Sequence, residues 1–308
     1  MGATPNTTDN DGPYLRTRFQ IGAVSLQRVV EAEMPILRPE EVYPDCTPEM
    51  LAANLHWLEP RFYDRTKNQL ILGFQGFLIR SEGKNILVDT CVGDCKRRAR
   101  VEFDNKRWNW LDRLREAGVT PEEIHIVVCT HFYVDHVGWN TQLQDGRWVP
   151  TFPNARYLFG RIEYEHWKNQ KADELSIPVF EDSVRPVFEA GRADFVETDH
   201  RLCKEVQLIP SLGHTPGHVS IVIHSKGERA LITGDIAHHP CQLERPDWRA
   251  TVDHDGDKAE ATRRRMFADL CGKQVLVFGT HFAGPSAGWI EANGETWKLR
   301  PKPGEGSG

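Results

Sequence analysis

His131, Asp135 and His136 stand within six consecutive positions, directly after the apolar run Ile126-Val-Val-Cys-Thr. Imidazole and carboxylate at that density suit a borderline divalent cation such as zinc, and adjacent Asp135 and His136 can serve one ion while His131 faces another. A second cluster, Gly213-His214-Thr-Pro-Gly217-His218, follows the apolar run ending at Leu212. Its Pro and Gly force a turn that aims His214 back toward the strand ends. Then Leu231-Ile-Thr-Gly234-Asp235 runs a strand out into Gly and a carboxylate, whose two oxygens can bridge two cations, and Val275 to Gly279 delivers Thr280 and His281. A lone strand-end His or Asp is more often structural. Several strand ends, each offering a metal-type residue, point to a metal centre.

Such convergence requires strands that end on one edge of a layered fold. Short apolar, β-branched runs recur at Leu70 to Ile79, Asn85 to Val88, Ile124 to Cys129, Val206 to Ile209, Val219 to Ile223, Ala230 to Ile232 and Gln274 to Phe278, and these are read as strands. Apolar residues at three- and four-residue spacing predict helices over Trp108 to Ala117, Arg161 to Lys171, Asp182 to Ala190 and Lys258 to Leu270. Thr120-Pro-Glu-Glu123 carries a capping-box signature, and the strand that follows so closely limits it to one turn. Strands precede helices in both halves, so the fold class is mixed α/β with two sheets. The polar residues 1–20 read as a loose arm, 21–300 as a single domain and 301–308 as a loose tail.

The bulk properties narrow the partners. A net charge of −6 over 308 residues argues against a surface that coats nucleic acid, and no run approaches the length of a membrane span. Lys96-Arg97-Arg98-Ala99-Arg100 is read as a solvated loop. The start of the chain, with Asp9, Asn10 and Asp11, lacks a basic-then-apolar leader, so a cytoplasmic location is expected. Seven scattered cysteines fit reduced thiols, and Cys91 and Cys95 have no second pair to make a zinc ribbon. No phosphate-cradling Gly-rich loop is present, so a nucleotide cofactor is not indicated.

The ordered motifs Thr-His131-x-x-x-Asp135-His136-x-Gly, Gly-His214-Thr-Pro-Gly-His218, Gly-Asp235 and Thr-His281, with Ile86-Leu-Val-Asp89-Thr upstream, resemble those of the metallo-β-lactamase superfamily. The resemblance covers about residues 70–285. It implies an αβ/βα four-layer sandwich of two central mixed sheets flanked by helices. It also implies one or two metals, zinc with iron or manganese as alternatives: one ion on His131 and His214, the other on Asp135, His136 and His281, with Asp235 between and Asp89 in support.

One position departs from the pattern. The family's second His is replaced by Tyr133, and three arrangements follow: a weakened first site beside an intact second, a Tyr-ligated pair, or a single-metal site. Tyr133, if no ligand, is a candidate oxyanion donor or acid. His238 and His239 are read as lining the pocket or facing solvent rather than replacing the lost ligand. His218 is read as a supporting hydrogen-bond partner or a core histidine. Asp135 is expected to orient the attacking water, and the closest similarity is to lactonases and ester or organophosphate hydrolases acting on a small molecule. The aromatic residues Trp57, Phe62, Tyr63 and Trp248 are read as packing rather than pocket wall. A redox iron enzyme of the same fold and a degenerate binding protein are the rival readings, and a homodimer is left open.

Overall fold

The computed structural model describes residues 18–168, 179–284 and 286–302. One sheet runs in the order Arg18–Ile21, Val24–Leu37, Gln69–Ser81, Lys84–Val88, Ile126–Val128, Arg156–Gly160 and Ala193–Val196, with Tyr63–Asp64 paired beside Gln69–Ser81. The other runs Val206–Pro210, Val219–Ser225, Glu228–Ile232, Val275–Phe278, Ala287–Asn293 and Thr296–Pro301. Each sheet mixes parallel and antiparallel neighbours, as in Lys84–Val88 with Ile126–Val128 and Glu228–Ile232 with Val275–Phe278, both parallel.

The alternation of strand side chains builds the layers. Phe77, Ile79, Ile86, Val88 and Val128 face Ile221, Ile223, Ala230, Ile232, Leu276 and Phe278 in the core between the sheets. The intervening Leu78, Leu87 and Val127 point the other way, onto Trp110, Leu114, Val184 and Val187. In the second sheet Leu231 and Val277 pack outward against Met266, Phe267 and Leu270 of the helix Gly256–Leu270. Apolar runs without polar interruption therefore mark strands buried on both faces, and the expected four-layer αβ/βα sandwich is the observed one. Among the described residues no helix is long and apolar enough to cross a membrane. All seven cysteines are free.

Several expectations shift. The first strand begins at Arg18, inside the stretch expected to be loose, and the last runs to Pro301, while residues 1–17 and 303–308 lie outside the described residues. The helix expected over Arg161 to Lys171 is described as Arg161–Lys168. The single turn Pro121–Glu123 forms with its capping box, Thr120 N donating to Glu123 Oε2 at 2.8 Å. Tyr43, Tyr63 and Trp248 pack in one buried cluster with Trp57 and Phe62 at its margin, as the packing reading requires.

The basic run Lys96 to Arg100 is partly internal rather than a solvated loop. Lys96 is 0% exposed, and Arg98 is buried beside it. Arg98 makes two bonds to Asp182, at 2.7 and 3.0 Å, while Lys96 Nζ sits 3.4 Å from Asp182 Oδ1, donates to Thr141 Oγ1 and lies over the Trp148 ring. Burial lowers the Lys96 ammonium to about 7. Because Arg98 alone satisfies the carboxylate bidentately, the second cation is dispensable. Lys96→Met is expected to leave unfolding free energy within about 1 kcal/mol of wild type or raise it, read by urea titration; a loss above about 3 kcal/mol would contradict this reading of the pair.

Candidate metal centre

The four histidines expected as ligands are delivered by loops that leave neighbouring strand ends. Ile126–Val128 ends just before Thr130, whose amide donates to Asp89 Oδ1 at 2.7 Å, which sets the following turn that carries His131 and His136. Asp89 itself leaves the strand Lys84–Val88 with φ 59°, and its Oδ2 accepts from His136 Nδ1 at 3.0 Å. His281 is held at both ends by Gly73: its Nδ1 donates to Gly73 O at 2.9 Å, and Gly73 N donates to His281 O at 2.9 Å. Gln75 grips the same loop through Gly279 O and Thr280 O, and Arg28 Nε fixes the amide by donating to Gln75 Oε1 at 2.6 Å.

Every one of these imidazoles has its Nδ1 engaged by an oxygen. His214 Nδ1 lies 2.9 Å from Asp253 Oδ1 and His131 Nδ1 3.0 Å from Thr130 Oγ1, alongside the Asp89 and Gly73 contacts. The carboxylate and carbonyl partners accept, and Thr130 Oγ1, which donates its own proton to Asp89, accepts from His131, so Nδ1 carries a proton and Nε2 is left to present a lone pair. Those lone pairs converge: His131 Nε2 and His214 Nε2 are 3.1 Å apart, and His136 Nε2 and His281 Nε2 are 3.3 Å apart. Two acceptors facing one another repel unless a cation lies between them. Ligands held at about 2.0–2.1 Å around a tetrahedral ion stand roughly 3.3 Å from each other.

Asp235 occupies the middle. Its Oδ2 is 3.0 Å from His281 Nε2, 3.4 Å from His136 Nε2, 3.5 Å from His214 Nε2 and 3.8 Å from His131 Nε2, while its Oδ1 is buried with no hydrogen-bond partner. Asp135 completes the His136 and His281 side, at 3.7 and 3.5 Å, and with its side chain 14% exposed it is the most accessible member. Burial opposes ionisation of Asp235, yet positive charge on His281, His136 and His131 holds its carboxyl well below the usual range, a charge that a bound cation would supply in place of their protons. The orphaned oxygen, the facing lone pairs and the spacing all fit a bound divalent cation, and the described residues bring together three groups capable of holding one: His131, His136 and Asp235; Asp135, His136 and His281; and His214, His238 and Asp253.

His218 is no part of that ring of donors. Its Nε2 accepts from Asp235 N at 2.8 Å and its Nδ1 contacts Ser211 O at 3.0 Å, so it positions the central carboxylate through the backbone. Two acids went unnoticed in the sequence. Asp253 orients His214, and buried Glu163 accepts from Phe132 N, Trp167 Nε1, Thr215 Oγ1 and Gly217 N, tying the loops of His131 and His214 to the helix Arg161–Lys168. Isolated carboxylates far from any motif carry no local signal of such a role. Glu163→Ala is expected to lower stability by about 1–3 kcal/mol, because two buried amides lose their acceptor; an unchanged denaturation midpoint would remove that role.

Residues 76–295 match the sequence profile of the metallo-beta-lactamase superfamily. The chain belongs to this superfamily. It is 24% identical over 171 residues to an N-acyl homoserine lactonase of Bacillus cereus, and 28% identical over 126 residues to one of a Bacillus species. Those matches take in 54% and 41% of this chain and only 60% and 43% of the relatives' own lengths. Among solved structures, a hydrolase named AbOPH superposes with a TM-score of 0.79 at 23% identity, covering 94% of this chain and 98% of its own. AidC, a dizinc quorum-quenching lactonase in complex with a product, gives 0.77 at 21% identity, with 94% and 97% covered. At these identities the superpositions establish the metallo-beta-lactamase fold.

Within this superfamily member Tyr133 remains the departure. Its hydroxyl donates to Val252 O at 2.7 Å, and its ring packs edge-on against His131, His214 and Trp167. Burial pushes the phenol well above its ordinary range. The proton that a ligating phenolate would lose is engaged by a carbonyl, and the ring serves as a wall on two imidazoles. His238 and His239 do not face solvent: His239 Nε2 bonds Phe62 O at 2.9 Å and Cys241 N donates to its Nδ1, whereas His238 has neither ring nitrogen partnered.

Proposed function

We propose that the chain is a metal-dependent hydrolase that opens a lactone or cleaves an ester-type bond in a small organic substrate. The observation that carries this reading is the convergence of Nε2 lone pairs on a buried carboxylate with an unpartnered oxygen. His131 and His214 would hold one ion, Asp135, His136 and His281 the other, and Asp235 would be shared. A cation bound there supplies an acidified water and polarises a carbonyl, which is what hydrolysis at neutral pH requires.

The chain's own groups divide the remaining work. Asp135, at the open side, is placed to take a proton from the attacking water and return it to the leaving alkoxide. Asp89, Asp253, Thr130 and Gly73 fix the tautomers of the four imidazoles, so the donors need no rearrangement. Tyr133, its hydroxyl tied to Val252, limits the pocket as an aromatic wall beside His131 and His214 rather than acting as acid or oxyanion donor. The similarity to proteins named N-acyl homoserine lactonases supports testing lactones first among candidate substrates.

The test is a panel of N-acyl homoserine lactones, aryl esters, phosphotriesters and thioesters, assayed on protein of known metal content. Lactone or ester turnover that chelation abolishes and zinc restores is the expected result. Protein carrying its metals and turning over none of the lactones or esters would overturn the proposal. Iron content with a tyrosinate absorption band would instead favour a redox enzyme.

A further inference from the structure

With Tyr133 serving as a wall, the first ion's side of the centre is short of a donor, and an unused imidazole lies against Asp235 beside His214. We propose that His238 is a metal-ligating residue: it supplies to the His131 and His214 side the imidazole that the position of Tyr133 does not, a reading that rests on the metal centre proposed above.

His238 is buried, 6% exposed, and neither its Nδ1 nor its Nε2 has a hydrogen-bond partner. Buried side-chain nitrogens are almost always satisfied, so an imidazole with both free points to a ligand. Its aim agrees. His238 Nε2 lies 3.5 Å from Asp235 Oδ2, the same separation as His214 Nε2, and the His214 and His238 rings are 4.8 Å apart. The 3.5 Å between His238 Nε2 and Asp235 Oδ2 is close to the roughly 3.3 Å between ligand atoms that share one ion. The wider group His214, His238 and Asp253 also gathers donor atoms within 4.8 Å, although Asp253 Oδ1 is already engaged by His214 Nδ1.

The backbone that presents His238 is held as firmly as those of the other donors. His238 N donates to Gln242 Oε1 at 2.7 Å, while the Gln242 side chain also accepts from Tyr43 OH and donates to Trp248 O. Neighbouring histidines provide the contrast. His239 uses both ring nitrogens on backbone groups, and His218 does the same with Asp235 N and Ser211 O. Of these three histidines, His238 alone has neither ring nitrogen hydrogen-bonded.

Zinc and cobalt are the probes. Apoprotein reconstituted with zinc and desalted is expected to retain two equivalents in the wild type and about one in His238→Ala, or to bind the second equivalent at least ~100-fold more weakly, beyond the usual loss of a mere supporting contact. In Tyr133→His/His238→Ala the second equivalent should return, because the imidazole is restored from the other side. Cobalt-loaded wild type and His238→Ala should differ in their visible bands as coordination changes. A variant-free reading comes from long-range proton–nitrogen spectra of histidine-labelled wild type. On zinc addition the ring nitrogens of His131, His136, His214, His281 and His238 should shift, and those of His218 and His239 should not.

A His238 ring that does not shift, or a His238→Ala protein holding two equivalents at wild-type affinity with an unchanged cobalt spectrum, overturns the proposal while leaving the metal centre standing. A wild type that retains no metal overturns both.

Discussion

Asp235→Ala is expected to remove both metal retention and turnover, leaving a folded protein whose hydrolytic rate is lower by three powers of ten or more. Activation of water and carbonyl by a cation is worth several kcal/mol of barrier, and each 1.4 kcal/mol or so is about tenfold in rate. Asp235 is the carboxylate that stands between the two halves of the site. Its Oδ2 is within 3.8 Å of His131, His136, His214 and His281, and its Oδ1 has no alternative partner. Fold retention is expected because the backbone hydrogen bond from Asp235 N to His218 does not need the side chain. The measurements are metal content after desalting, circular dichroism and kcat/KM on the best substrate. A variant that keeps two equivalents of metal and a tenth of the activity would show that the carboxylate is not the shared ligand.

Asp235 was legible in the sequence for the same reason as His131, His136, His214 and His281. Each follows an apolar run, buried at consecutive positions before His131, Asp235 and His281 and at alternate positions before His214, so one feature marks the strand and the residue beyond its end together. The sandwich followed from the same runs. The long strand Val24–Leu37 did not, because Gln27, Arg28, Glu31 and Glu33 interrupt its apolar pattern.

Those polar groups are satisfied across the fold rather than by water. Glu31 accepts from Val92 N, Gly93 N and Trp139 Nε1, and Glu33 accepts from Gly284 N and pairs with Arg28. Partners so distant in sequence leave no local trace. The pair His238-His239 shows the same limit at the site. Adjacent and identical in type, the two side chains separate only when the backbone turns one toward Phe62 O and the other toward Asp235.

Gly234 turns the chain out of the strand Glu228–Ile232 into Asp235, and Gly234→Ala is expected to disable the centre without touching any donor. Its φ is +58°, and a Cβ there would lie 2.5 Å from His218 Nε2, 2.7 Å from His218 Cε1 and 3.1 Å from Val219 O. The left-handed backbone alone costs an L residue about 1–2 kcal/mol, and overpacking a buried site adds about 1–3 kcal/mol. The imidazole has nowhere to retreat, since its Nδ1 is engaged by Ser211. If it moves, it takes with it the acceptor of Asp235 N, and the shared carboxylate shifts. A displacement of about 1 Å in a catalytic group can cost roughly 100-fold in rate, so kcat should fall by about that factor together with a loss of roughly 2–5 kcal/mol in stability.

Gly227→Ala separates the two causes. Gly227 has φ +84°, yet nothing stands within 4 Å of a Cβ placed there. It should therefore lose only the backbone term, about 1–2 kcal/mol by urea titration, with kcat and metal content unchanged. Equal effects of the two substitutions on kcat would mean that the contact between Gly234 and His218 does not position Asp235. A selective loss in Gly234→Ala would trace activity to a glycine that makes room for the imidazole behind the shared carboxylate.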